Sequence, residues 1–458
     1  MDDSDVHAQC RRENEGLKKR VQELERKLEE ALRSQKRQAA PFSKGPPKEH
    51  PLKSGRKPGA EYGRHARRPA PRKIDEIIPV PAPPRCGCGG RTEPVEVVAQ
   101  YQTEIPRKPI HRRFDIQIAQ CRDCGQHVRG RHPLQTSQAV GAAASQLGPD
   151  AQAMVATLKD EIGLSYGDIQ KLLHRSYGIQ LSRGGAAQTV LRIGERIQAA
   201  YEGIRIVLRR SRVVYPDETG WKVRGSLQWL WVLVSRTATL FAIRDSRGHD
   251  VPQELLGADW SGTMVHDGWS PYDFFLKAEH QQCLAHLMRR CTRLIQTATG
   301  AAIRFPRQVL DLLKDGLDLR DRRDAREISP HGLAVAQGHL FTRFHRLLLA
   351  RITDPQNWRF LKHIGYHMDQ IFTFLKRRGI EATSWPADQA IRPAVVNRKV
   401  FGGNREELGA RAQERIASVA ATCVQRGVDL FGYLARVICA PENRRDQLAR
   451  RLLALPAS

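Results

Sequence analysis

The stretch Val213-Val-Tyr-Pro-Asp217-Glu-Thr-Gly-Trp221 decides how the middle of this chain is read. A β-branched and aromatic run delivers a carboxylate where the run ends, and strand ends are where a mixed sheet presents its site residues. Met264-Val-His-Asp267-Gly-Trp269 repeats the arrangement at a second predicted strand end. Ala387-Asp388-Gln-Ala-Ile-Arg-Pro393 sets a third acid in a helix predicted to begin near Pro386. Repulsion among three such groups is costly in water, and a divalent cation turns that cost into affinity. Hard oxygen ligands suit Mg2+, so Asp217, Asp267 and Asp388 are candidate catalytic ligands of two Mg2+ ions, which clamp an in-line phosphoryl transfer. A lone aspartate in such a place also serves as a cap or turn residue. Glu218 would face the opposite side of the strand from Asp217 and is set aside.

Working outward, Arg212-Val-Val-Tyr215, Gln228-Trp-Leu-Trp-Val-Leu-Val-Ser235 and Thr239-Leu-Phe-Ala-Ile-Arg244 read as strands joined by hairpins. A helix near Val251 to Leu256 and a strand at Thr263-Met-Val-His266 follow, the pattern of a mixed α/β sheet. The expected core therefore has a first part at 206–286, a basic helical insertion at 287–380 and a last part at 381–403 carrying the third acid. A helical tail follows at 404–458. Upstream, 134–205 is predicted helical with glycine-containing breaks at 163–167 and 177–185. A helix-turn-helix DNA-binding domain and a plain helical packing domain fit that pattern equally well.

The pairs Cys86-Gly-Cys88 and Cys121-Arg-Asp-Cys124 flank alternating segments at 95–101 and 114–120. Two cysteine pairs on turns joined by a hairpin make a zinc ribbon at 76–133, with Cys86, Cys88, Cys121 and Cys124 closing a structural Zn2+ site. Two unconnected buried pairs are the alternative. Residues 39–75 are a flexible basic linker rich in proline and glycine, in which Arg56 and Lys57 are candidate phosphate contacts; a solvated tether is the other reading. Within 1–38, Leu17, Val21, Leu24 and Leu28 step in heptads with Asn14 at an a position. That pattern is a coiled coil pairing two copies, or a single surface helix.

Over 458 residues the chain carries 75 Lys+Arg against 49 Asp+Glu, a formal net charge of +26. That excess favours a polyanionic partner, with nucleic acid first among them. No run of about 18 apolar residues is present, so no membrane span is expected. The acidic N-terminus is not a secretory signal, and nine scattered cysteines suit a reducing compartment, so a cytoplasmic location is expected.

These motifs together resemble the transposases of the insertion sequence 66 family. The matching segments are Asp217-Glu-Thr-Gly-Trp221; Asp267-Gly-Trp269 with Cys283-Leu-Ala-His286 downstream; and Asp388-Gln-Ala-Ile-Arg-Pro393 running on to Asn397-Arg-Lys399 and Gly402-Gly-Asn-Arg405. The resemblance covers almost the whole chain. It implies a DDE triad on a ribonuclease-H-like core within a multidomain α+β protein, preceded by coiled coil, zinc ribbon and helical domain. It also implies a nucleoid-associated bacterial enzyme that binds the terminal inverted repeats of a mobile element and target DNA. Cleavage and strand transfer would follow, with accessory proteins of the element as further candidate partners. His286 is a candidate DNA contact or a hydrogen-bonded packing histidine, and Arg392, Asn397, Arg398 and Lys399 are candidate phosphate contacts or an ordinary solvated helix face. The family carries Glu at the third acid position; here it is Asp388, one methylene shorter. That departure supports an alternative, a weakened copy acting as a DNA-binding protein. A nuclease that cuts without joining is a third reading.

Overall fold

The computed structural model describes residues 20, 23, 70–85, 87–91, 93, 96–103, 105, 106, 108–140 and 146–454. The expected coiled coil, Arg56, Lys57 and Cys86 lie outside the described residues. The chain divides into two compact units, 1–106 and 107–458. In the first, an isolated antiparallel bridge between Arg85 and Arg91 closes the turn that holds Cys88. No strand forms among the described residues of 95–101, where the alternating pattern predicted one; Val97 and Val98 are exposed and bury no face there.

The second unit begins with a small hairpin, β1 (Ile118–Gln120) against β2 (His127–Arg129). Only the last three residues of the predicted strand at 114–120 pair, and their partner lies just across the Cys121–Cys124 turn. Four helices follow: α1 (Pro149–Asp160), α2 (Tyr166–Tyr177), α3 (Arg183–Arg196) and α4 (Gln198–Arg209). Ser165 and Ser182 cap α2 and α3, each accepting a hydrogen bond from a backbone N–H of the first turn. Gly178 ends α2 in the left-handed conformation, as helix C-termini favour.

The sheet comprises β3 (Val213–Val223), β4 (Ser226–Val234), β5 (Thr239–Arg244), β6 (Thr263–His266) and β7 (Glu279–Gln282), with α5 (Asp250–Leu256) between β5 and β6. Its order is β5-β4-β3-β6-β7. The first three strands are antiparallel neighbours, and β3, β6 and β7 run parallel. This is the mixed α/β sheet the sequence predicts. Side chains of β4 alternate between two cores: Trp231 and Leu233 on one face, Leu230, Val232 and Val234 on the other.

The first core is completed by α1–α4 and by three C-terminal helices, α12 (Glu407–Gln425), α13 (Leu430–Cys439) and α14 (Glu442–Ala454). The helices over 149–209 are therefore packed against this face of the sheet. The second core is closed by α6 (Leu284–Thr297), α7 (Arg304–Asp324), α8 (Pro330–Leu348), α9 (Pro355–Tyr366), the short α10 (Thr373–Lys376) and α11 (Trp385–Phe401).

Both edges of the sheet are covered. Along β5, the N–H groups of Thr239, Phe241 and Ile243 donate to Thr422 Oγ1 (3.2 Å), Ser418 Oγ (2.8 Å) and Glu414 Oε2 (2.9 Å), three side chains one helical turn apart on α12. Beside β7, Gln281 Oε1 accepts from Phe374 N (2.9 Å), and the Thr373 hydroxyl donates to His280 O (2.7 Å). Buried backbone groups left unpaired would cost about 1–3 kcal/mol each. Among the described residues no helix is long and apolar enough to cross a membrane.

Candidate active site

Parallel pairing of β3 with β6 covers only Val213–Thr263 and Val214–Met264; β3 then runs on against β4 to Val223. Asp217 therefore does not follow the strand's end, as the sequence suggested. It stands inside β3, opposite Val232, past the last pairing with β6. Asp267 directly follows β6. Glu218 lies opposite Trp231, and because Val232 and Trp231 belong to different cores, Asp217 and Glu218 face opposite sides of the sheet.

Burial pushes the Asp217 carboxyl up to about 7; the charges of Glu218, Asp388 and Asp267 add to this, against one hydrogen bond donated by Glu218 N (2.8 Å). The charges of Asp267 and Asp388 thus both reach Asp217, which is partly buried, while Asp267 and Asp388 are exposed. Glu218 is engaged elsewhere. It accepts from Arg247 Nη2 (2.8 Å) and from the Tyr272 hydroxyl (2.9 Å), and its side chain is nearly enclosed.

Arg247 and Tyr272 escaped the sequence reading: Arg247 lies in an irregular turn and Tyr272 in a single short 3-10 turn, Ser270–Phe274, neither of which carries a periodic sequence signal. Arg247 sits between the rings of Trp229 (4.5 Å) and Trp269 (4.2 Å), so it links β4, Glu218 and the loop after Asp267. In that loop Asp267 Oδ1 accepts from Trp269 N (3.0 Å). Gly268 has φ +90°, and a Cβ there would collide with Gln282 Oε1, so the Asp-Gly-Trp motif needs its glycine.

Asp388 lies in the first turn of α11, where the helix dipole favours negative charge. The start of that helix is tied to the segment following β7. Leu284 N donates to Ala382 O (2.9 Å), and Ser384 N donates to Cys283 Sγ (3.2 Å). Burial opposes ionisation of Cys283, yet hydrogen bonds involving His286 and Ser384 outweigh it and bring the thiol down to about 7. His286 is half-buried; contact with Cys283 raises its pKa against burial, and the charge of Asp267 adds to the rise. Among the described residues its Nδ1 is buried without a hydrogen-bond partner.

At about 100° per residue, Arg392 and Lys399 lie within about 40° of Asp388 on α11, and Asn397 lies about 180° away. Arg392 and Lys399 are exposed accordingly. Asn397, expected at a phosphate, is instead buried and donates to Asp160 O (3.1 Å). Arg398, expected there too, turns onto β3 and donates to Thr219 Oγ1 (3.1 Å) and Gly220 O. These two brace the helix against α1 and β3. The periodicity of α11 already carried the signal for Asn397.

Among the described residues, no three His, Cys, Asp or Glu side chains stand close enough to hold one metal ion as placed. Mg2+ does not require such a cage: it is commonly held by one or two carboxylates, with waters and substrate phosphates completing its shell. The oxygen donors and the ionisation cost at Asp217 fit such an ion. Of the expected zinc ligands, Cys121 and Cys124 lie on the turn between β1 and β2, where Cys121 N donates to Gln126 O (2.8 Å) and Gly125 N to Cys121 O (3.0 Å). Backbone hydrogen bonds at Cys124 and Asp123 hold the Cys121 thiol below its ordinary range.

With this geometry in view, the chain's similarity to known proteins is informative. Residues 144–412, more than half of the chain, match the family described as Transposase IS66 family. The chain belongs to that family. No curated protein matches it.

Proposed function

We propose that the chain is an active DNA transposase that binds double-stranded DNA at the terminal inverted repeats of a mobile element, cleaves a phosphodiester bond and joins the freed end to target DNA. The observation that carries this reading is the register of β3 and β6, which puts Asp217 and Asp267 three residues beyond the matched pair Val214–Met264, with Asp388 in the first turn of α11 near enough for its charge to act on Asp217. The sheet order β5-β4-β3-β6-β7, antiparallel and then parallel, supports a ribonuclease-H-like core.

Asp217, Asp267 and Asp388 would hold two Mg2+ ions, which supply charge neutralisation at the attacked phosphate and a more acidic nucleophile. The nucleophile is water for cleavage and a DNA 3′-hydroxyl for joining. Arg392 and Lys399 on the Asp388 face position phosphates, and His286 completes the contacts near Asp267. Asn397 and Arg398 act as braces. Cys121 and Cys124, on their turn, are the part of the expected zinc site that the sequence pairs with Cys86 and Cys88. The expected N-terminal coiled coil would pair two copies so that two DNA ends meet.

Asp at position 388 favours a second reading, a copy that binds DNA and cuts poorly. Duplexes carrying the ends of the surrounding element, incubated with Mg2+, separate the two. Nicked and joined products that vanish in Asp217→Asn and Asp267→Asn support the transposase. Binding without nicking supports the second reading, and nicking without joining points to a nuclease.

A further inference from the structure

A basic groove of about 1410 Å3 opens at the N-terminal ends of β3, β6 and β7, the opposite end of the parallel strands from Asp217 and Asp267. Arg210, Arg212, Arg236, Lys277, Arg377 and Arg378 line it, all exposed and drawn from four separate stretches of chain. Two carboxylates, Glu279 and Glu381, stand among them. Glu279 is taken by Arg377 (3.0 Å), and Lys277 pairs outward with Asp259 (2.6 Å). Arg210, Arg212 and Arg236 make no ion pair among the described residues. Ser211, Ser235, Thr237, Ser261 and Thr263 also line it. The volume exceeds that of an ordinary small-molecule site, and six cationic side chains stand over walls of mixed polar and apolar surface, which suits an extended polyanion.

The groove leads toward the acids. Tyr215 and Pro386 also line it, two residues before Asp217 and Asp388 respectively, and Glu381 N donates to the Tyr215 hydroxyl (3.2 Å). Along β6, Thr263 in the groove and Asp267 at the site are four residues apart, about 13 Å at strand spacing. That is about four nucleotides along a DNA strand.

We propose that this groove is a second phosphate-binding site, holding the backbone of the duplex about four nucleotides beyond the bond presented to the acids. The proposal rests on the transposase reading for its substrate. It assigns the groove to double-stranded DNA and gives it no part in the chemistry.

The test uses the full chain carrying Arg210→Ala, Arg212→Ala and Arg236→Ala together, with unchanged melting temperature as the check on folding. Affinity for an end-containing duplex is measured by fluorescence anisotropy between 50 and 200 mM salt. The log–log salt slope is expected to become shallower by about 2–3, since each lost phosphate contact removes about 0.9. Affinity at the lowest salt should fall at least about tenfold. Trimming the flank to fewer than about four nucleotides should weaken wild type and leave the variant unaffected. An unchanged slope overturns the proposal. Because binding is read without cleavage, a wild type that never nicks yet shows the slope change upholds the groove and sinks the catalytic reading. Nicking with an unchanged slope does the reverse.

Discussion

Asp217 and Asp267 each stand three residues beyond a matched pair, Val214 and Met264, on neighbouring parallel strands. Equal offsets from one register point bring the two carboxylates to the same level of the sheet. A one-residue slip would send one of them to the opposite face. The short parallel ladder between β3 and β6 is thus what sets the level of the first two candidate acids.

Asp388 is one methylene shorter than the glutamate that the family resemblance leads one to expect there. Asp388→Glu should raise the Mg2+-dependent nicking rate by about 10- to 100-fold, the scale on which a displacement of about 1 Å acts. Asp388→Ala should abolish nicking while end binding persists. Single-turnover kinetics on an end-containing duplex check both.

The raised pKa of Asp217 makes a prediction for the metal-free protein. A carboxyl at about 7 when folded and near 3.8 when unfolded holds its proton more tightly in the folded state. Its ionisation therefore destabilises the fold progressively as pH rises from about 4 to 7, and the stability returns as pH falls. The full effect is about 4 kcal/mol at most. In EDTA at pH 8, Asp217→Asn should melt above wild type, and the difference should shrink toward pH 5. A constant difference across that range would refute this account of Asp217.

Arg247 joins Glu218 to two tryptophans by planar contacts that a lysine cannot copy. Arg247→Ala should lower stability by about 2–4 kcal/mol, because it leaves Glu218 enclosed with only Tyr272 as a partner. Arg247→Lys should recover less than half of that. Urea unfolding of the three proteins is the measurement.

Cys283 matters as an acceptor. Cys283→Ser keeps an acceptor near Ser384 N, whereas Cys283→Ala leaves that buried N–H unpaired at a cost of about 1–3 kcal/mol. The alanine variant should lose nicking rate beyond its loss of stability, since the start of the Asp388 helix is released. The serine variant should stay close to wild type in both assays.

The strands carrying Asp217 and Asp267 were legible because β-branched and aromatic runs announce them, and the helix after Pro386 because its start is marked. β7 was not, since Glu-His-Gln-Gln has no apolar alternation: Gln281 is buried and spends its amide on Ile371 O and Phe374 N. The tie between Cys283 and Ser384 joins residues about a hundred positions apart, beyond the reach of any local pattern. Asn397 was misread for a different reason. Its residue type suited phosphate, and its place on the helix wheel, which faces the protein, was passed over.

The polar ladder of Glu414, Ser418 and Thr422 along β5, with its counterpart beside β7, has a consequence for how copies of this chain combine. With β5 capped along its length and β7 held at His280, the sheet offers little free backbone to a neighbour, so any second copy would join through side-chain surfaces or through segments outside the sheet. Removing α12 would undo that protection, and the shortened chain should polymerise edge to edge, binding amyloid-type dyes where the full chain does not.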